Sequence, residues 1–164
     1  MIAAVAAVAL FGFSPGLPDW LRGQPDRVVE RAQVGPWRLE VAHDGFTGKT
    51  LCVVRNGDMT YHHGVMTFDF GGGTDTAEAQ FRLDDGPPVK TVILASQAAG
   101  LGARFGSNDL RNPSGGVVHI PASALGQAQQ ISIRPGERAD HRVFSLGGLP
   151  EALDAARAKG CDVV

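Results

Sequence analysis

Residues 49–70 read KTLCVVRNGDMTYHHGVMTFDF, and this stretch decides the fold class. Lys49 to Arg55 is rich in β-branched and apolar residues and has the length of one strand. Asn56-Gly57 follows, a pair tolerant of positive φ that turns one strand back onto the next. Thr60 to Phe70 is then the return strand. Side chains alternate along a strand, so Val65, Thr67 and Asp69 face one side and Met66, Phe68 and Phe70 the other.

The same grammar extends in both directions. Upstream, Trp37-Arg38-Leu39-Glu40-Val41 alternates apolar and polar, and His43-Asp44-Gly45 is turn material. Downstream, Gly71-Gly72-Gly73-Thr74-Asp75 is a loop, Ala77 to Asp84 alternates, Asp85-Gly86-Pro87-Pro88 turns, and Val89 to Ala95 is the next strand. Val117 to Ile120, Gln130 to Arg134 and Arg142 to Leu146 complete the set. Pro121 to Gly126 supplies one helical turn and Pro135-Gly136 a reverse turn. Only the tail reads as a regular helix: Pro150 sits near its start, Leu149, Leu153 and Ala156 form an apolar stripe, and Gly160 is placed to end it. Strands that follow one another without intervening helices exclude a parallel βαβ architecture. The expected fold is mainly β, an antiparallel β-sandwich or partly open barrel with one C-terminal helix.

Composition agrees. The 164 residues include 22 glycines and 10 prolines, which suits many turns between short strands. Apolar residues make up 43% and charged residues 20%, values of a globular chain rather than a disordered one. A net charge of −2 provides no basic excess to draw nucleic acid, so none is expected as a partner.

Ile2 to Phe13 is an uncharged apolar run that spans roughly 18–20 Å as a helix, short of a ~30 Å hydrocarbon core. The length is that of a signal-peptide core, and Ser14 and Gly16 offer small residues before a cut after Gly16. No Lys or Arg precedes the run, so a membrane anchor and a buried core helix are the alternatives. Residues 1–16 are thus expected to be a signal peptide or anchor. Residues 17–36, with Pro18, Gly23, Pro25, Gly35 and Pro36, are read as a linker with one helical turn about Val28 to Ala32. The sandwich domain is read as 37–164.

Cys52 and Cys161 are the two cysteines. They form no C-x-x-C motif. In an exported chain an even count allows one disulfide, which would pin the end of the tail helix to the strand holding Cys52; two separate thiols are the alternative.

The search for chemistry is mostly a series of exclusions. His62-His63 occupies adjacent strand positions that point to opposite faces, poorly placed to share an ion, and His43, His119 and His141 add no ligand spacing, so no metal is expected. The glycine runs lack a G-K-[ST] ending and the strand-to-helix context of a phosphate loop, and no cofactor is implied. Asp84-Asp85 stands at a hairpin end, where aspartates form turns. No serine sits in a G-x-S-x-G elbow, and Cys52 lies mid-strand as a buried or bridged sulfur. One polar loop is left, residues 97–116, whose Arg104, Asn108, Asp109 and Arg111 make it the candidate site, because long polar loops often carry function.

Several motifs carry a resemblance. Trp37 leads the first strand and Cys52 lies in the next. Phe81-Arg82-Leu83-Asp84-Asp85-Gly86-Pro87-Pro88 is similar to an R-[IL]-D-x-G hairpin. Phe144-Ser145-Leu146-Gly147-Gly148-Leu149-Pro150-Glu151-Ala152-Leu153 is similar to a strand entering an Ala-Leu helix. Over residues 37–155 the chain resembles the bacterial invasion-associated locus B proteins, although Arg38 to Val41 lacks the cysteine that often follows the family's leading tryptophan. The resemblance implies a small exported β-sandwich of the cell envelope, periplasmic or at the surface, and brings no catalytic residues. The expected role is that of a binding module for an envelope protein or surface component, touching the membrane only through an N-terminal anchor. The alternatives are a small hydrolase with its site in the 97–116 loop and a sugar- or lipid-binding module.

Overall fold

A computed structural model describes residues 27–101 and 116–163. Trp37–Asp44 forms strand β2, and its alternation sends Trp37, Leu39 and Val41 into the core. Ahead of it lies β1, Arg27–Val34, paired antiparallel from Val34↔Trp37 to Arg27↔Asp44. This corrects the reading of the stretch as the end of a linker with a helical turn about Val28 to Ala32. Gly35-Pro36 is a hairpin turn, and the residues before it alternate well enough to add an edge strand once β2 offers a free ladder.

Strand β3, Thr50–Asn56, pairs with β2 and sets Cys52 opposite Val41. The β2–β3 loop is held by Asp44, whose Oδ1 accepts the amides of Phe46 at 3.0 Å and Thr47 at 3.2 Å. Strands β4 (Met59–His62) and β5 (Val65–Asp69) come from the stretch read as a single strand, Thr60 to Phe70. The chain reverses between them at His63 and Gly64, with φ of +46° and +76°. Two successive positive φ values match the right-handed twist of a hairpin. The β3–β4 turn is also displaced by one residue: Asn56 pairs with Met59, so Gly57 and Asp58 occupy the corner.

Strand β6 is Gln80–Leu83 and β7 only Val89–Lys90. The longer strand expected from Val89 to Ala95 is replaced by a 3-10 turn at Thr91–Leu94 and a short helix α1, Ala95–Gly100. Thr91 donates its amide and hydroxyl to the Ala79 carbonyl at 3.0 and 3.1 Å, just where β6 runs out of ladder, and the chain curls away. Strand β8, Val117–Pro121, joins the edge of β5 with Met66 opposite Ile120. The glycines around the entry to β8 are structural. A Cβ on Gly116 would lie 2.0 Å from the Gly71 carbonyl oxygen, where the Phe70 amide also reaches the Gly116 carbonyl at 2.7 Å. Strands β9 (Gln130–Arg134) and β10 (Arg142–Ser145) fall where the alternation places them.

These strands make two antiparallel sheets, a six-stranded one in the order β1-β2-β3-β4-β5-β8 and a four-stranded one in the order β10-β9-β6-β7. The sheets keep separate edges and close no barrel among the described residues. Trp37, Leu39, Met66, Phe68, Ile120, Ile131 and Ile133 fill the space between them, with Phe68 and Phe144 at 5.1 Å between ring centroids. Helix α2, Leu149–Ala158, covers the rest of that face of the larger sheet through Leu149, Ala152 and Ala156. It ends as its sequence predicts. The Gly160 amide bonds the Arg157 carbonyl and the Cys161 amide the Ala156 carbonyl, closing the helix with Gly160 at φ +79°. Cys161 is joined to Cys52 by a disulfide, with Cα atoms 5.8 Å apart. No helix among the described residues is long and apolar enough to cross a membrane.

Candidate functional site

Arg104, Asn108, Asp109 and Arg111, the loop residues singled out from the sequence, lie outside the described residues. The histidines are dispersed. His43 bonds the Thr50 hydroxyl at 3.2 Å and His119 the Thr67 hydroxyl at 2.9 Å. Asp84 acts as a joint: its Oδ1 accepts the amides of Gln129 and Gln130 at 3.1 and 3.0 Å, tying the end of β6 to the start of β9.

His62 and His63 stand edge to face with centroids 4.2 Å apart. The pKa of His62 drops from its ordinary value of 6.5 to about 4, first because surrounding protein strips water from part of the ring, and second because a charge on His63 would oppose one on His62. The native state therefore holds less proton than the unfolded chain between about pH 6.5 and 4, so acidification through that window destabilises the fold and adds nothing further below it. Thermal melts at pH 7 and pH 5 should show a smaller loss for His62→Gln than for the parent; equal losses would refute the assignment.

The surface that stands out is the outward face of the four-stranded sheet. Phe81 and Leu83 on β6, with Ile131 and Ile133 on β9, point inward, so Gln80, Arg82, Ser132 and Arg134 point outward. The register sets Arg82 opposite Ser132 and Gln80 opposite Arg134. The two arginines are thus diagonal neighbours across one strand pair. Pro88 from the β6–β7 connection and His141 from the β9–β10 connection complete a cleft of about 250 Å³. Ser132 is only 6% exposed although it faces outward, because longer neighbours surround it.

The cleft combines a concavity with two open guanidinium groups. Several cations outside it are paired, Lys90 with Glu78, Arg142 with Asp58, Arg157 with Asp154 and Lys159 with Glu30, whereas Arg38 and Arg55, opposite each other on β2 and β3, are not paired among the described residues. Neither Arg82 nor Arg134 has an ion pair or a hydrogen bond among the described residues, and no carboxylate lines the cleft. Like charges on diagonal neighbours of one strand pair repel each other. A bound anion would remove that repulsion. Among the described residues Ser132 donates no hydrogen bond to His141 or to another base, and the cleft offers donors to a negative group.

Family models, curated proteins and solved structures were each compared with the chain. None matches. The cleft is therefore read on its own chemistry. Two other concavities carry carboxylates beside their cations, Glu151 and Asp154 beside Arg157 in one and Asp75, Glu78 and Glu137 beside Arg138 in the other. The groove of about 480 Å³ between α2 and residues 122–129 carries Asp154 and Arg157, which neutralise each other. In the hollow of about 550 Å³ between residues 74–78 and 136–139, Glu78 is taken by Lys90 and the Asp75 carboxylate by the Ala77 amide. Sequence reasoning placed Arg82 in an alternating stretch and a hairpin motif, and Ser132 and Arg134 in a strand, without singling out any of the three as a site residue. The alternation shows that all three face outward; the pairing of β6 with β9, which brings them together, has no local signature.

Proposed function

We propose that this chain is an exported binding domain of the bacterial cell envelope, akin to the invasion-associated locus B proteins it resembles, and that it holds an acidic partner on the outer face of its four-stranded sheet. The carrying observation is the pair of uncompensated arginines on rigid strand positions beside the Ser132 hydroxyl. A surface that leaves two guanidinium forks open favours carboxylate or phosphate groups, which accept both N–H donors of each fork. Export is supported by the apolar run at residues 2–13 and by the Cys52–Cys161 disulfide, a bond that persists in oxidising compartments.

The test is capture from envelope extracts at low salt on the immobilised oxidised protein, beside the Arg82→Ala/Arg134→Ala variant. The parent should retain a component released by raising the salt. The variant should lose at least tenfold in affinity, since each charge-assisted hydrogen bond contributes about 1.5–3 kcal/mol. Equal capture by both proteins, or none by the parent, contradicts the reading.

A further inference from the structure

Resting on that reading, we infer that the β6–β9 cleft is a subsite for a tetrahedral oxyanion, the phosphate group of a phosphomonoester. Ser132 as a residue is more than nine-tenths buried, and it lines the cleft together with Arg82 and Arg134. Arg82 lies directly across the ladder from it and Arg134 two residues along its own strand. Gln80 and His141 also line the cleft, and both carry N–H donors. The donors thus approach from several directions. A planar carboxylate presents two oxygens in one plane and satisfies one fork. A phosphomonoester presents three terminal oxygens, enough to meet both forks and the hydroxyl together. Its charge of about −1.5 to −2 near neutral pH also balances two arginines, which a single carboxylate does not.

Size and lining narrow the class. About 250 Å³ is below the range of roughly 300–1,000 Å³ typical of pockets that enclose a whole drug-sized ligand. The cleft therefore takes the charged end of a larger molecule, with Pro88 as an apolar wall for the carbon next to the ester oxygen. The phosphate could reach the site on a soluble ester or on a lipid headgroup, and the two sources can be told apart.

The experiment is an NMR titration of the full oxidised chain with inorganic phosphate and, separately, acetate, at constant ionic strength. Phosphate should shift the amides of Arg82, Ser132 and Arg134 saturably with a Kd of about 1 mM or tighter, and at least tenfold tighter than acetate. Arg134→Gln and Arg82→Gln should each weaken phosphate at least tenfold while leaving the rest of the spectrum unchanged, which shows that the variants are folded. Sedimentation with phosphatidic acid vesicles, beside phosphatidylcholine alone, identifies the source. Binding to the former that inorganic phosphate reverses assigns a headgroup; no vesicle binding, with the phosphate shifts intact, assigns a soluble ester. Absence of saturable shifts at these amides, or acetate binding as tightly as phosphate, overturns the inference. If envelope capture still depends on Arg82 and Arg134 in that event, the binding-domain reading survives and only the ligand class is wrong. If capture ignores both residues, that reading falls as well.

Discussion

Replacing Cys52 with serine should lower the unfolding free energy by about 4 kcal/mol and the melting temperature by about 15 °C. The bond spans 109 positions of sequence, and the chain-entropy model assigns a loop of about 100 residues roughly 4.7 kcal/mol of unfolded-state restriction. Its effect is concentrated on α2. That helix is ten residues long and two of its three buried side chains are alanines, so it removes little apolar area from water. Its other ties are the exposed Lys159–Glu30 pair and the Trp37 hydrogen bond to Gly147, and an exposed pair contributes about 1 kcal/mol or less. Calorimetry on the parent, the reduced parent, and the single and double serine variants tests this. The three thiol-altered forms should cluster together well below the parent, with helix amides near residues 149–158 losing hydrogen-exchange protection first. A difference under about 1 kcal/mol would show that packing alone seats the helix.

Trp37→Ala should cost a similar amount, about 4 kcal/mol, within the range for deleting a large buried aromatic. Trp37 is 0% exposed and its indole nitrogen donates to the Gly147 carbonyl at 2.9 Å. The same ring wall packs where α2 begins: a Cβ on Gly148 would lie 3.5 Å from Trp37 Cδ1 and 3.2 Å from Pro36 Cδ. Alanine therefore opens a void, orphans a carbonyl and loosens the turn that starts the helix. Trp37→Phe keeps most of the ring but not the donor and should lose about half as much. Urea unfolding distinguishes the three proteins by midpoint at constant slope. A midpoint for Trp37→Ala near that of the parent would place the residue outside the core.

Where local chemistry and burial agree, the fold is legible in the sequence. Gln130–Arg134 reads as a strand because Ile131 and Ile133 alternate with polar residues, and both isoleucines are fully buried. The tail helix reads correctly to its last turn because Gly160 ends it and Cys161 follows. Legibility fails where tertiary partners decide. Nothing in Thr91 to Leu94 resists extension, yet Val92 and Ile93 end exposed because no neighbouring strand continues the ladder. The β1 stretch looks like a linker since its inward positions include Glu30 and Ala32, and its extension depends on β2 beside it. The turn at His63-Gly64 hides within an otherwise continuous alternation, because a histidine at positive φ is uncommon.

The candidate site is less legible than the fold, for a related reason. Polar loops advertise themselves in a sequence, and residues 97–116 read as one, although Gln97 to Gly100 belong to α1. The Arg82, Ser132 and Arg134 cluster is split between strands about 50 residues apart and exists only through the register of β6 on β9. Its other signal is the lack of carboxylate partners, which only the folded surface shows. The site also follows from the economy of the small sheet: the inward positions of β6 and β9 are committed to the core, so recognition chemistry is confined to the outward ones.

Compartment and fold meet in the sulfur chemistry, and one measurement addresses both. Native protein taken from fractionated cells, alkylated without reduction and weighed intact, should be found in the envelope fraction with residues 1–16 removed. Its mass should be two hydrogens below that of the reduced chain, with Cys52 and Cys161 recovered in one linked peptide. A full-length cytosolic product carrying two alkylated thiols would contradict the account.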